Sequence, residues 1–161
     1  MVVNRDGLPC GCGSRGCWET EIGAAALLRH AGRNPEDRAA VAEVLRAAAD
    51  AEPTALAAVQ QVADWLGFGV ANLVNVVNPD TVVFGGYLRE VYAAGADTVR
   101  RRLDEMALPA SREHVRLRAA ALGRDAPLIG AAELAFDKLL ADPLNAGGTG
   151  QPGLGPTQTP T

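Results

Sequence analysis

The sequence predicts an α/β domain, rich in helices around a small sheet, and three observations carry that prediction. Several long stretches repeat apolar residues at i, i+3, i+4 and i+7, the spacing of one helix face. Two short runs, Thr81 to Phe84 and Val115 to Leu122, are instead β-branched or alternate apolar with charged residues, as strands do. The composition is 48% hydrophobic but only 4% aromatic. The core must therefore be built from Ala, Val and Leu, which favours helices packed closely on a small sheet.

Taken in order, Met1 to Val3 reads as the end of a strand, Asp6-Gly7 as a turn, and Pro9 as the entry to a cysteine loop. Helical spacing runs from about Glu19 to His30, with Gly32 as the C-terminal stop. Asn34-Pro35-Glu36-Asp37 offers an N-cap, a proline at the first helical position and acids in the first turn. A second helix is expected from there to about Asp50, carrying Val41, Val44, Leu45 and Ala48 inward. Pro53 opens a third helix that continues to about Asn78. Its first half is amphipathic, with Gln60, Gln61 and Asp64 on the wet side. Its second half, Gly69 to Val77, is apolar except for Asn72 and Asn75 and is expected deep in the domain. Gly67 and Gly69 each cost roughly 1 kcal/mol relative to alanine, and close packing against a neighbouring helix is the expected compensation. Asn78-Pro79-Asp80 stops this helix, and Thr81 to Phe84 follows as a strand.

Gly85-Gly86 is a turn into a helix from about Leu88 to Met106. A strand, a glycine pair and a helix can present backbone amides to a phosphate or nucleotide, although a plain tight turn explains the pair as well. Asp125 caps a last helix through Leu140. From Asp142 the chain is dominated by Gly, Pro, Thr and Gln, too little apolar surface to offset ordering entropy. The expected organisation is thus one lobe over 1–141 and a disordered tail over 142–161.

The net charge of −4 argues against a nucleic-acid-binding face, which needs clustered positive charge. Arg100-Arg101-Arg102 is the one basic cluster, and with Asp97, Asp104 and Glu105 around it reads as a solvated helix face. No segment approaches the roughly 18 consecutive apolar residues of a membrane span, and the N-terminus lacks the apolar region of a signal peptide. Neither nucleic acid nor membrane is expected as a direct partner, and reduced cysteines suit the cytoplasm.

All three cysteines of the chain fall in the segment Cys10-Gly11-Cys12-Gly13-Ser14-Arg15-Gly16-Cys17. An odd number of crowded cysteines is a poor disulfide framework. The interspersed glycines permit a tight loop that turns several sulfurs toward one point. Cys10, Cys12 and Cys17 are therefore the candidate metal ligands, with structural zinc the expected ion because it favours tetrahedral thiolate sites. Inert buried thiols and an iron–sulfur cluster are the competing readings. Neither His30 nor His114 is placed by the local sequence to act as the fourth ligand.

Three segments together resemble the C-terminal half of the ROK family of sugar-responsive repressors and sugar kinases: the cysteine loop continuing through Trp18-Glu19, Gly69 to Asp80, and Val82-Val83-Phe84-Gly85-Gly86. The resemblance implies the C-terminal lobe of an actin-like, RNase H-like fold. It implies a zinc site completed by a histidine which, counted back from Cys10, falls immediately before Met1. It further implies that Glu19, after the last cysteine, contacts a sugar or sugar phosphate. Without the family, Glu19 is a first-turn glutamate favoured by the helix dipole. Gly85 and Gly86 match the family's nucleotide-side turn. The remaining sugar-contacting residues, the catalytic aspartate of the kinases and the helix-turn-helix of the repressors are all expected upstream. No catalytic residue is therefore expected within the chain.

The texture of Trp18 to Gly23 and of Gly123 to Ala132 is closer to the repressor branch. The expected function is the effector-binding and dimerisation half of a sugar-responsive transcriptional regulator that lacks its DNA-binding module, with homodimerisation implied by the family. The alternative is a C-terminal fragment of a glucokinase-like sugar kinase, inactive as this chain. A misplaced start or a truncated gene is compatible with either parent.

Overall fold

The computed structural model describes residues 1–142. They fall into two compact units, one from Met1 to Arg124 and a second beginning at Asp125. The expected disordered tail beyond Asp142 lies outside the described residues. The first unit contains α1 (Trp18–Ile22), α2 (Ala24–His30), α3 (Ala40–Ala49), α4 (Pro53–Val77), β1 (Thr81–Phe84), α5 (Leu88–Met106), α6 (Pro109–His114) and β2 (Arg116–Ala119). A 3₁₀ turn at Gly123–Asp125 leads to α7 (Ala126–Ala141), the helix of the second unit.

The long helix α4 is the axis of the first unit. Pro53 stands in its first turn, and Glu52 caps it by accepting the backbone N–H groups of Thr54 and Ala55 at 3.1 and 2.6 Å. Those bonds hold the Glu52 carboxyl below its usual pKa. The helix stops at Asn78, which adopts a left-handed conformation with φ 47°, a geometry that asparagine tolerates better than most residues. Val59, Val62, Leu66, Val70 and Val74 form a fully buried stripe along α4. Facing it are Leu27 and Leu28 of α2, Val44 and Leu45 of α3, Val91, Val99 and Leu103 of α5, and Phe84 of β1. Full burial of each larger aliphatic side chain contributes about 1.5–3 kcal/mol.

Small residues let the helices approach. A methyl group added at Gly67 would lie 2.7 Å from Arg102 Cβ, and one at Gly95 would lie 2.5 Å from Ala63 Cβ. Gly95 also departs from helical geometry, kinking α5 where it meets α4. The compensation expected for Gly67 and Gly69 is therefore found in close packing against α5 and Trp18. β1 and β2 run parallel, with Thr81 opposite Arg116 and Phe84 opposite Ala119. Phe84 stacks on Tyr92 of α5 with centroids 4.3 Å apart, which fastens the sheet to the helical layer.

Several local expectations need correction. The helix expected over 19–30 is two helices, broken at Gly23, whose extended backbone (φ −67°, ψ 162°) caps α2. The second helix begins at Ala40 rather than near Asn34. Asn34 Oδ1 accepts the Glu36 N–H, and Asp37 Oδ1 accepts the N–H groups of Ala39 and Ala40, so these side chains build turns that compete with helix. The apolar end of α4 is buried on one side only: Leu73, Val76 and Val77 are exposed, Val76 at 84%. Helix α6, unforeseen, starts at Pro109. Asn75 fixes the chain just before it, donating to Met106 O at 3.0 Å and accepting the Leu108 N–H at 2.8 Å. The arginine run is not a uniform solvated face either. Arg102 makes a two-pronged pair with Asp64 of α4 at 2.7 and 2.8 Å, Arg101 joins at 3.3 Å, and Arg100 lines a separate groove beside β2.

Candidate metal centre and adjoining cavity

The cysteine loop is shaped by its backbone. Gly13 and Gly16 have φ of 88° and 61°, in the region where glycine is favoured. A side chain at Gly16 could not be accommodated, since its Cβ would fall 1.5 Å from Asn4 O. Gly16 O accepts the N–H groups of Val3 and Asn4, Gly16 N–H donates to Leu8 O, and Cys10 N–H donates to Ser14 O. Bridges pairing Val2 with Cys17 and Pro9 with Arg15 close the loop. The segment Met1 to Val3, expected as the end of a strand, supplies one such bridge.

This folding brings Cys10, Cys12 and Cys17 together, with their sulfurs all within 4.8 Å of one another and the Cys12 and Cys17 sulfurs 3.4 Å apart. Thiolates on one tetrahedral zinc stand ~3.8 Å apart, from Zn–S bonds of about 2.3 Å, so this donor set fits zinc. The Cys12 thiol is held below its ordinary pKa, first by the backbone hydrogen bond at Ser14 and then by Cys17. Cys17 is pushed up to about 11 by its hydrogen bond with Cys12 and by desolvation. One sulfur of the pair thus loses its proton before the other. Among the described residues no fourth side chain joins the three sulfurs, so neither His30 nor His114 does.

The loop leads directly into α1 and fixes its direction. Trp18 N–H donates to Met1 O, and its indole Nε1 donates to Trp65 O of α4 at 2.8 Å. The indole lies flat on α4 at Gly69, where an added methyl would come within 2.0 Å of the ring. Glu19, the next residue, is exposed and lines a cavity of about 200 Å³ with Cys10, Thr20, Arg29 and Arg38. Gly23 makes room for it: a Cβ there would sit 2.8 Å from Glu19 Oε1. Arg29 Nη2 donates to Thr20 O at 2.7 Å, tying α2 to α1 behind the cavity. The predicted metal ligands and the predicted sugar contact are therefore brought to one place, with Cys10 belonging to both.

Gly85 and Gly86 lie at the β1–α5 turn, with Gly86 at φ 55° and open space where either side chain would be. They do not line the cavity beside Glu19. Their neighbour Tyr87 lines a separate cavity that shares Ala24 and Arg38 with the one beside Glu19. Sequence reasoning overlooked Tyr87 and Arg38. It also passed over Glu21, a buried carboxylate whose Oε1 accepts from Asn4 Nδ2 at 3.1 Å and so supports the loop from behind. A polar residue at a core-facing position of α1 was the available signal for Glu21; nothing in the local pattern marked the other two.

The profile of the ROK family matches residues 1–138. A glucokinase of Halalkalibacterium halodurans is 32% identical over 143 residues, covering 80% of this chain and 43% of the glucokinase. The xylose repressor of Bacillus subtilis is 26% identical over 140 residues, covering 87% of this chain and 36% of the repressor. Among solved structures, a ROK glucokinase from Streptomyces griseus in complex with glucose and AMPPNP superposes with a TM-score of 0.68 at 32% identity, covering 83% of this chain and 49% of that one. A ROK transcriptional regulator superposes at 0.70 with 24% identity, a likeness of fold. The chain spans less than half the length of these curated relatives. The expected C-terminal lobe of an actin-like sugar-kinase fold is borne out.

Proposed function

This chain belongs to the ROK family, and from that premise we propose that it is the sugar-binding lobe of a sugar-responsive transcriptional regulator, with structural zinc in the cysteine loop. The observation that carries the sugar reading is the placement of Glu19. Its exposed carboxylate faces a cavity beside the three sulfurs, on a helix whose start the cysteine loop clamps. A carboxylate accepts hydrogen bonds from sugar hydroxyls, and the metal would hold the loop that aims it, as supporting groups do at metal sites generally. Cys10, Cys12 and Cys17 would hold the zinc, and a histidine upstream of Met1 would complete it. The zinc would supply rigidity rather than chemistry. The regulator reading is supported by the repressor-like texture of Trp18 to Gly23 and by the repressor relatives. Homodimerisation belongs to the same proposal, as does a cytoplasmic location; no helix among the described residues is long and apolar enough to cross a membrane.

One observation favours a second reading. The Halalkalibacterium halodurans glucokinase matches at higher identity than the Bacillus subtilis repressor, 32% against 26%, so a kinase parent is the alternative, with Gly85 and Gly86 on its nucleotide side. Calorimetric titration of the chain with hexoses and pentoses, with and without a non-hydrolysable ATP analogue, separates the two. The regulator reading expects sugar affinity that is indifferent to the nucleotide and falls at least tenfold in Glu19→Gln. Affinity that rises with the nucleotide supports the kinase, and sugar binding unchanged in Glu19→Gln removes Glu19 from the site.

A further inference from the structure

The fold assembles a basic groove of about 490 Å³ that no local run of the sequence displays. Arg100, Leu103 and Asp104 of α5 form one wall; Arg112 of α6 and the chain from Val115 to Arg118 form the rest. The groove holds four guanidinium groups and a single carboxylate, that of Asp104. Arg112 is already engaged, donating to Asp104 O. Arg100, Arg116 and Arg118 are exposed and make no ion pair among the described residues. No residue of the groove lines the cavity beside Glu19 or belongs to the Gly85-Gly86 turn. The sugar and nucleotide readings therefore leave it unexplained.

Strand alternation places the groove on the sheet. Val115 and Leu117 pack against the core, so Arg116 and Arg118 project from the opposite face of β2. A groove lined by both sets, but by no residue of β1, runs along the margin of β2 that β1 leaves unpaired. No other strand among the described residues takes that margin. Arg116 and Ala120 turn their N–H groups toward β1, so the main-chain groups of Leu117 and Ala119 face the free side. There the Leu117 carbonyl meets the Tyr92 hydroxyl at 3.5 Å, a long contact. Arg116 and Arg118 stand about 6.6 Å apart along the strand, the spacing of alternate residues in any extended peptide.

We propose that this margin of β2 takes an extended acidic segment of a partner protein, which adds to the sheet as a further strand. Acids at alternate positions meet Arg116 and Arg118 on one face, through charge-assisted hydrogen bonds. Apolar residues between them cover Val115 and Leu117 on the other face, with Arg100 on the facing wall drawing in the same negative charge. Main-chain bonds along a strand edge give affinity, and the alternating side chains give selectivity. A polynucleotide lacks the amides and carbonyls that such an edge pairs with, and the groove holds no aromatic ring on which a base could stack. A second copy of the described residues does not supply the segment either, since neither strand, Thr-Val-Val-Phe or Arg-Leu-Arg-Ala, carries an acid.

The test is fluorescence anisotropy of labelled peptides titrated with the chain. The probe alternates glutamate with valine. One control replaces every glutamate by glutamine, and another methylates the main-chain nitrogens of the probe. The probe is expected to bind about tenfold or more tighter than its glutamine form, the scale of one charge-assisted contact. The double variant Arg116→Gln, Arg118→Gln should lose that advantage, after circular dichroism confirms its fold. Arg100→Gln, on the facing wall and away from the sheet, should weaken the probe as well and keeps the test open if the double variant does not fold. No binding of the probe, or binding unchanged in the folded double variant, overturns the proposal; so does binding unchanged in Arg100→Gln where only that variant folds. Equal binding of the methylated probe overturns strand addition and reduces the groove to a charged patch. Tighter binding of a single-stranded oligothymidylate than of the probe overturns the partner class.

Discussion

The cysteine loop and the α4–α5 helix pair keep their shapes by different means. Along α4 and α5, order comes from volume: aliphatic side chains with no exposed surface, glycines where backbones touch, and a clasp between Arg102 and Asp64. From Met1 to Gly16 no side chain is buried, and the only buried residues are two glycines. Order there comes from backbone hydrogen bonds, which gather three sulfurs within 4.8 Å of one another. The helix pair is a folding unit whose stability scales with the apolar surface it removes from water. On the proposed reading the loop is a binding unit, and its stability would depend on the metal it holds. Glu19 stands at the junction, aimed by the loop on one side and by Trp18 packed on α4 on the other.

The sharpest way to separate the regions is to damage one and read both. Leu66→Ala empties a position that is 1% exposed and is expected to destabilise the unit by about 2–5 kcal/mol in denaturant melts, with zinc affinity of the folded protein unchanged. Gly69→Ala attacks the junction. Its methyl group would overlap the Trp18 indole, so overpacking is expected to cost about 1–3 kcal/mol, and sugar affinity should fall with it. A Gly69→Ala chain that binds sugar normally would show that Trp18 does not aim Glu19. Gly16→Ala damages the loop alone. It forces a side chain into Asn4 at a left-handed φ, and zinc affinity should drop about 10- to 100-fold, as when groups supporting a metal's ligands are disturbed. Amide exchange should then quicken across residues 1–17 and stay slow through α4.

The smallest effect belongs to acid. Arg102 holds the Asp64 carboxyl below the ordinary 3.8, so its contribution to stability is complete above that value and is lost as pH falls through its own lower one. Because the pair is partly exposed, with Asp64 at 25%, no more than about 1 kcal/mol is at stake. An Asp64→Asn chain should lack that part of the acid dependence.

What was legible in the sequence follows the same division. The loop could be read because its chemistry is local: three sulfurs and three glycines within a few residues constrain each other wherever the chain goes next. The limits of α4 and α5 were legible because proline, asparagine and paired glycines punctuate them. The break at Gly23 was not, because an interrupted helix keeps nearly the same apolar spacing as an intact one. The turns at Asn34 and Asp37 were missed because a side chain that caps a helix also makes a competing turn with the same atoms. Burial of Gly69 to Val77 was overread: periodicity counts apolar residues but not what lies opposite them, and Leu73, Val76 and Val77 face outward. Arg38 and Tyr87 carry no local signature, since their relation to Glu19 exists only once α1, α3 and the β1–α5 turn are assembled.

One feature of the sheet bears on handling. Among the described residues β1 is hydrogen-bonded along one edge only, by β2. Its other edge has no strand partner among the described residues and belongs to an uncharged run, Thr-Val-Val-Phe, with Val83 more than half exposed. A short, apolar strand margin that stays unpaired is a template for an extended peptide, including the same run in a neighbouring molecule. Self-association through this margin would grow with concentration and be insensitive to salt. Pro79 and the Gly85-Gly86 pair bracket the run and keep any such pairing short.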